Sequence, residues 1–185
     1  LIETTGLHSM EMINELLKSG LDNDDEPLVT QKLDLRAMLY DSIELLQFRA
    51  KEKNQEIIFE SDNVAVMAEI NHEKIWRVIN NLIVNAIKFS YTGSKIKVGI
   101  KADGKNILIW VADNGVGIPA ENKEIVFEMF THAKRNGTQG EQPFGLGLSI
   151  SKKIIELHSG KIWFEDNAGN GTVFFIRLPT EHQKE

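Results

Sequence analysis

Residues 107–119 read Ile107-Leu-Ile-Trp-Val-Ala-Asp113-Asn-Gly115-Val-Gly117-Ile-Pro119. Six apolar residues, Ile107 to Ala112, end abruptly in a carboxylate, and two glycines follow at a spacing of two. The run predicts a buried strand. Neither the acid nor the glycines are needed to fold it. They expose Asp113 at a strand end and let backbone approach something flat or anionic closely. Just upstream, Ile96, Val98 and Ile100 alternate with polar residues, as a half-buried strand requires, and Asp103-Gly104 predicts a two-residue hairpin turn into the run.

Two more stretches point to the same place, Asn81-Leu-Ile-Val-Asn85-Ala-Ile-Lys88-Phe-Ser90 and Phe144-Gly-Leu-Gly-Leu-Ser-Ile150. The first belongs to a helix predicted over about 72–88, capped by Asn71, with Ile75, Val78, Ile79, Leu82, Ile83 and Ala86 as its core stripe. Asn81, Asn85 and Lys88 lie at i, i+4 and i+7 and share the next face. In the second stretch, Gly145 and Gly147 lead into a last helix that runs to about Leu157 and is stopped by Gly160.

Elsewhere the pattern predicts a helix over residues 1–18, with Leu7, Met10, Ile13 and Leu17 in one stripe, then an acidic linker ending at Pro27. The stripe requires burial, on a partner chain, on sequence outside this chain, or back on its own domain. A short strand over 28–33 precedes a helix capped by Asp34 and running to about Ala50, and Lys51 to Gln55 reads as a polar stop. Strands Glu56–Glu60 and Val64–Ala68 follow, joined through Ser61-Asp62-Asn63. Pro119 opens a short helix with Ile125, Val126, Met129 and Phe130 on its apolar side, and a polar stretch to Pro143 follows. Strands Lys161–Glu165 and Thr172–Leu178 close the chain before a charged tail, 181–185. Helices alternating with hairpin-type strand pairs predict an α+β, two-layer α/β sandwich with an antiparallel-rich sheet and an added N-terminal helix.

With 42% apolar and 26% charged residues, the 185-residue chain supports a packed core. A net charge of −6 argues against a general nucleic-acid binder. Without cysteine there is neither a disulfide framework nor thiolate chemistry, which fits a cytoplasmic setting. No apolar run approaches the roughly 20 residues that span a bilayer. The chain opens on Leu1 within a helical pattern, so it reads as part of a longer protein, with any membrane attachment supplied by the missing regions.

Ionised Asp113 only accepts hydrogen bonds, so its partner must be a donor, and the exocyclic amine of adenine is a candidate. A solvated turn Asp before Gly is the plainer alternative. Amide oxygens of Asn81 and Asn85 are neutral, hard ligands suited to Mg²⁺, which keeps water and binds substrate phosphates. Lys88, one turn on, is a point charge for phosphate. A hydrophilic helix edge is the plainer alternative for this face, although two asparagines form helix poorly and placing both beside the core stripe needs a reason. Glycines opening a helix aim N–H groups at an anion, with the dipole adding roughly 0.3–1 kcal/mol. There is neither a P-loop nor a dinucleotide fingerprint.

In this order the pieces resemble the catalytic ATP-binding domain of sensor histidine kinases, in the superfamily shared with gyrase, heat-shock chaperones and mismatch-repair ATPases. Asn81 to Ser90 resembles the N box, Asp113-Asn-Gly-Val-Gly-Ile118 the first glycine box, Phe127-Glu-Met-Phe130 the F box, and Gly145-Leu146-Gly147-Leu148 the second glycine box. Gly171-Thr172 matches the pair before the last strand. The resemblance covers about 30–180. It implies the Bergerat-type fold, with residues 28–180 as the catalytic domain, 21–27 as linker and 1–20 similar to the second helix of a dimerisation and phosphotransfer domain. It further implies that Asp113 binds the adenine amine, with Gly115, Gly117, Ile118 and Thr172 around the nucleotide. Asn85 would hold Mg²⁺ beside Asn81, Lys88 would contact phosphate, and Phe89 would sit near the nucleotide. Residues 119–144 would form an ATP lid, with Lys134 and Arg135 steering the γ-phosphate. The implied partners are ATP, the parent's own phosphotransfer domain, a response-regulator receiver domain and, in the parent, a second copy.

Two departures stand out. Pro143-Phe144 precede Gly145 where the family usually has Gly-Thr. There is no phosphoacceptor box, since His8 lies in Gly-Leu-His-Ser-Met. His72 and His158 read as structural, and His132 falls in the lid. The expected function is therefore to present the γ-phosphoryl to a histidine absent from this chain. A gyrase-type conformational ATPase would need a glutamate where Asn81 stands, because an amide cannot act as the base. A non-catalytic nucleotide sensor would use the same residues.

Overall fold

The computed structural model describes residues 28–128, 137–138 and 147–181. The expected helix over 1–18, the linker, much of the lid and the tail beyond 181 lie outside them.

Strand β1 (Gln31–Asp34) leads into helix α1 (Leu35–Glu52). Asp34 caps this helix as expected, its carboxylate accepting from Arg36 N at 3.0 Å and also from Val66 N at 3.0 Å. Strands β2 (Glu56–Glu60) and β3 (Met67–Ile70) precede helix α2 (His72–Phe89). Asn71 caps α2 by accepting from Lys74 N at 3.0 Å. Strands β4 (Lys95–Asp103) and β5 (Asn106–Ala112) form a hairpin. After a short 3₁₀ turn, Ala120–Asn122, come helix α3 (Gly147–Leu157) and strands β6 (Lys161–Asp166) and β7 (Thr172–Pro179).

Five strands form one mixed sheet in the order β2-β4-β5-β7-β6, while β1 and β3 make a separate antiparallel pair. This corrects the expectation that β2 and the next strand form a hairpin. β2 instead runs parallel to β4. A parallel neighbour requires a long crossover, and the β3–α2 segment supplies it. The partner of β3 is β1, and β3 lies later than expected, at Met67–Ile70 rather than Val64–Ala68. The β4–β5 turn falls on Gly104-Lys105, one residue later than expected, because Asp103 pairs with Asn106. Of the short helix expected after Pro119, the described residues to 128 contain the 3₁₀ turn Ala120–Asn122, and Met129 and Phe130 lie outside them.

The three helices cover one face of the sheet, and the core lies between the layers. Ile107, Ile109 and Val111 of β5 point into it, while Leu108, Trp110 and Ala112 are half-buried on the other face. The six-residue apolar run is thus buried on one side only. On the outer face Trp110 lies against Gly99 and opposite Phe175, which stacks on Trp163 at 5.2 Å. Helix α2 buries Ile75, Val78, Ile79, Leu82, Ile83, Ala86 and Ile87, the expected stripe plus one residue. Fully burying each of the isoleucine, valine and leucine side chains among them stabilises by about 1.5–3 kcal/mol. His158, 1% exposed, accepts from Asn71 N at 3.0 Å and pairs its Nδ1 with Ile154 O at 2.8 Å, tying α3 to the start of α2. His72 stacks on Trp76. Both histidines have structural surroundings, as expected. No helix among the described residues is long and apolar enough to cross a membrane.

Candidate functional site

Strand β5 occupies the middle of the sheet, so the residue following it emerges between two paired neighbours. That residue is Asp113. Its N–H continues the ladder to Thr172 O at 2.9 Å. Its Oδ1 accepts from Gly115 N at 2.9 Å and Thr172 N at 3.3 Å. The side chain is 5% exposed, and burial pushes the carboxyl up from 3.8 to about 6, against the opposing pull of the Gly115 and Thr172 N–H groups. With Oδ1 engaged, Oδ2 is the oxygen left to accept.

Asp113 lines a cavity whose apolar walls are Phe89, Ile118, Val126 and Phe174. Asn85 and Thr172 add polar groups, and Gly117, Pro119 and Asn122 complete the rim. Phe127 braces the wall from behind, edge-on to Phe174 at 6.3 Å and 6.1 Å from Phe164. One carboxylate oxygen between apolar surfaces suits a flat ring carrying an exocyclic amine.

Close backbone contacts hold this loop. A Cβ on Gly115 would collide with the Phe89 carbonyl, and Val116 N donates to that same oxygen at 3.2 Å. The Asp113 loop is thereby fastened to the end of α2. A Cβ on Gly171, at φ +101°, would collide with Asp113 O. Asn167 Nδ2 also donates to Asp113 O at 2.7 Å and to Asn114 Oδ1 at 3.1 Å. Beyond the rim, Lys123 pairs with Asp166 and anchors the segment after the 3₁₀ turn to β6.

The helical face divides between two cavities. Asn85 and Phe89 line the first with Asp113. Asn81 lines a second, with Arg77, Asn80, Ser151 and Gly147. Asn81 Nδ2 donates to Ser151 Oγ at 3.0 Å, and a Cβ on Gly147 would collide with Asn81 Oδ1. Glycine at that point therefore seats the start of α3 directly on the amide. Lys88 places its ammonium 5.2 Å from the centre of the Phe89 ring. Leu148 packs against the core. Of the sequence candidates, Lys134, Arg135, Gly145 and Leu146 lie outside the described residues, as does His132.

Sequence reasoning missed Asn122 and Phe174 in the cavity wall, Ser151 against Asn81, and Asn167 behind Asp113. Phe174 sits in a strand whose alternation marks it only as core. Asn122 and Asn167 sit in polar stretches with no periodic signal, and Ser151 lies in a predicted helix where a lone serine carries no mark of what it faces.

Residues 70–182 match the family described as histidine kinase-, DNA gyrase B-, and HSP90-like ATPase. The chain is similar to the sensor protein kinase WalK of Staphylococcus saprophyticus, 31% identical over 93% of this chain and 28% of that protein. WalK of Staphylococcus aureus is 30% identical over 93% of this chain and 42% of the relative. The chain thus spans little more than a quarter of the length of the first curated relatives it matches. Among solved structures, the catalytic domain of histidine kinase ThkA superposes with a TM-score of 0.73 at 30% identity, over 83% of this chain and 99% of that one. ThkA in complex with response regulator protein TrrA gives 0.79 at 30% identity, over 100% of this chain and 51% of that one. With the strand-end carboxylate, the glycine-held loop and the asparagine-bearing helix in one place, and with these likenesses across them, the chain belongs to the histidine kinase-, DNA gyrase B-, and HSP90-like ATPase family, as a catalytic domain of the histidine kinase type.

Proposed function

We propose that this chain is the ATP-binding catalytic part of a sensor histidine kinase. The observation that carries this reading is the buried Asp113, with one carboxylate oxygen held by backbone and the other left at an apolar-walled cavity. In this reading Oδ2 takes the adenine amine, and Phe89, Ile118 and Phe174 enclose the ring. The phosphates then run along α2 past Asn85 and Lys88 towards Asn81 and the start of α3.

Mg²⁺ fits this donor set. Among the described residues no group of three His, Asp or Glu side chains is arranged to hold a metal by itself. Neutral amide oxygens suit an ion that arrives on a triphosphate and keeps most of its water. Asn85 would hold it, with Asn81 beside it. Bound ATP supplies the γ-phosphoryl, which passes to an imidazole nitrogen of a histidine elsewhere in the parent as the bond to the bridging oxygen breaks and ADP leaves. The chain's own residues position the nucleotide and neutralise its charge. We place residues 28–180 in this catalytic domain, 21–27 in a linker, and 1–20 in the second helix of a dimerisation and phosphotransfer domain. The parent would be a homodimer that relays phosphate to an aspartate of a response regulator, with the catalytic part in the cytoplasm.

The test is incubation of the full-length parent with γ-labelled ATP and Mg²⁺. Acid-labile, alkali-stable phosphate on the protein is the expected result. Nucleotide binding without any phosphohistidine overturns the kinase reading in favour of a nucleotide sensor, and release of free phosphate alone does so in favour of an ATPase.

A further inference from the structure

Lysine is seldom buried unless it is paired, yet Lys53 is only 6% exposed. It follows the end of α1, just before Asn54, whose φ of +52° turns the chain towards β2. Its ammonium donates to Ile87 O at 3.0 Å, Lys88 O at 3.1 Å and Thr138 Oγ1 at 2.7 Å. The two carbonyls belong to the last turn of α2, where oxygens have no intrahelical donor and the helix dipole favours a cation.

Capping alone does not account for the lysine. Gln55 already donates to Ile87 O, Ser90 O and Tyr91 O. What Lys53 adds is Lys88 O and Thr138, and Thr138 N itself donates to that same carbonyl. Thr138 stands in the segment between the cavity wall at Val126 and the start of α3, the stretch that resembles an ATP lid. Thr138 N donates to Lys88 O at 3.1 Å, and its hydroxyl donates to Ser90 O at 2.8 Å while accepting from Lys53. Lys88 O therefore receives both Lys53 and Thr138. The next carbonyl along, Phe89 O, holds the Asp113 loop through Val116 N. One buried cation lies at the centre of a knot that joins α1, the end of α2 and Thr138, one peptide away from the loop bearing the cavity's carboxylate.

We propose that Lys53 is a positioning residue for nucleotide binding: its ammonium fastens Thr138 to the last turn of α2 and so holds Lys88 and Phe89 in place at the cavity. This rests on the nucleotide reading above. The charge-assisted bond to Thr138 is the part that a purely structural cap would not need.

The experiment uses the 185-residue chain and a fluorescent ATP analogue with Mg²⁺. Variants are Thr138→Val, which removes the hydroxyl at nearly constant shape, Lys53→Met, and the double variant. Each single variant is expected to raise the Kd about tenfold, and the double no more than the larger single, because both cut one connection. Single-variant Kd values within a factor of two of wild type, with only a lowered Tm, would mean a cap and nothing more, and overturn the proposal. Losses that multiply to about a hundredfold would make the two residues independent and also overturn it. If Lys53→Met does not fold, Thr138→Val carries the same test. Should the wild-type chain bind no nucleotide, the functional reading fails, and the connection is read from amide exchange instead. Lys53→Met must then expose the Thr138 amide, and unchanged protection overturns the knot.

Discussion

Replacing Asp113 by Asn is expected to make the unliganded fold more stable and the site useless. Burial moves this carboxyl from 3.8 to about 6. The folded state therefore binds the proton more tightly than the unfolded chain does. The group's contribution to stability is fully present below pH 4 and is lost as pH rises through 6. At pH 7 the ionised carboxylate costs about 3 kcal/mol relative to an unperturbed one, at roughly 1.4 kcal/mol per unit of displacement. Asparagine has no charge to desolvate, and its single oxygen still accepts from Gly115 N and Thr172 N. Asp113→Asn should gain up to about 3 kcal/mol at pH 7, an upward Tm shift of roughly 6–12 °C for a chain of this size. With that oxygen engaged, the amide NH₂ faces the cavity and meets a donor with a donor, so nucleotide affinity should fall by roughly tenfold or more. For wild type, affinity should decline below pH 6, where the carboxyl turns neutral. The assay is urea unfolding of both proteins between pH 3.5 and 8, with the difference between the two curves isolating this one group. Parallel curves from pH 4 to 6, or a variant no more stable than wild type at pH 7, would refute the reasoning.

Three further outcomes are expected. Gly115→Ala drives a methyl into the Phe89 carbonyl, so the Asp113 loop must shift. We expect a loss of about 1–3 kcal/mol in urea unfolding together with weaker nucleotide binding, and near-neutral behaviour would show that the approach is looser than drawn. Mg–ATP at 100 times its Kd should stabilise the fold by about 2.7 kcal/mol, and the absence of any thermal shift at saturation would count against the site. The chain alone, incubated with labelled ATP, should acquire no phosphohistidine, and label on His8 would overturn the reading that it belongs to no phosphoacceptor box.

Much of the site was legible because its signals are local. A carboxylate closing an apolar run, glycines at a spacing of two and two asparagines one turn apart each depend on residues within a few positions of one another. Strand alternation and the 3.6-residue period supplied the helices and most strand cores for the same reason. Pairing was not legible in that way. Ser61-Asp62-Asn63 joins two strand patterns, yet β2 lies parallel to β4 and β3 pairs with β1, partners far away in the chain that no local spacing names. Lys51 to Gln55 reads as a polar stop, yet Lys53 and Gln55 are 6% and 3% exposed. Their burial depends on carbonyls more than 30 residues along the chain.

The sequence by itself determined which groups could do chemistry, namely the acid, the amides and the glycine-opened helix, since composition and short spacing are written in it. Only the tertiary structure decided how those groups are divided. Thr172, 59 residues on, occupies one oxygen of Asp113 and leaves the other. Ser151, 70 residues on, takes the Asn81 amide while Asn85 stays with the carboxylate. Which lone pairs remain for a ligand is set by contacts between segments far apart in the chain, and no local pattern records them.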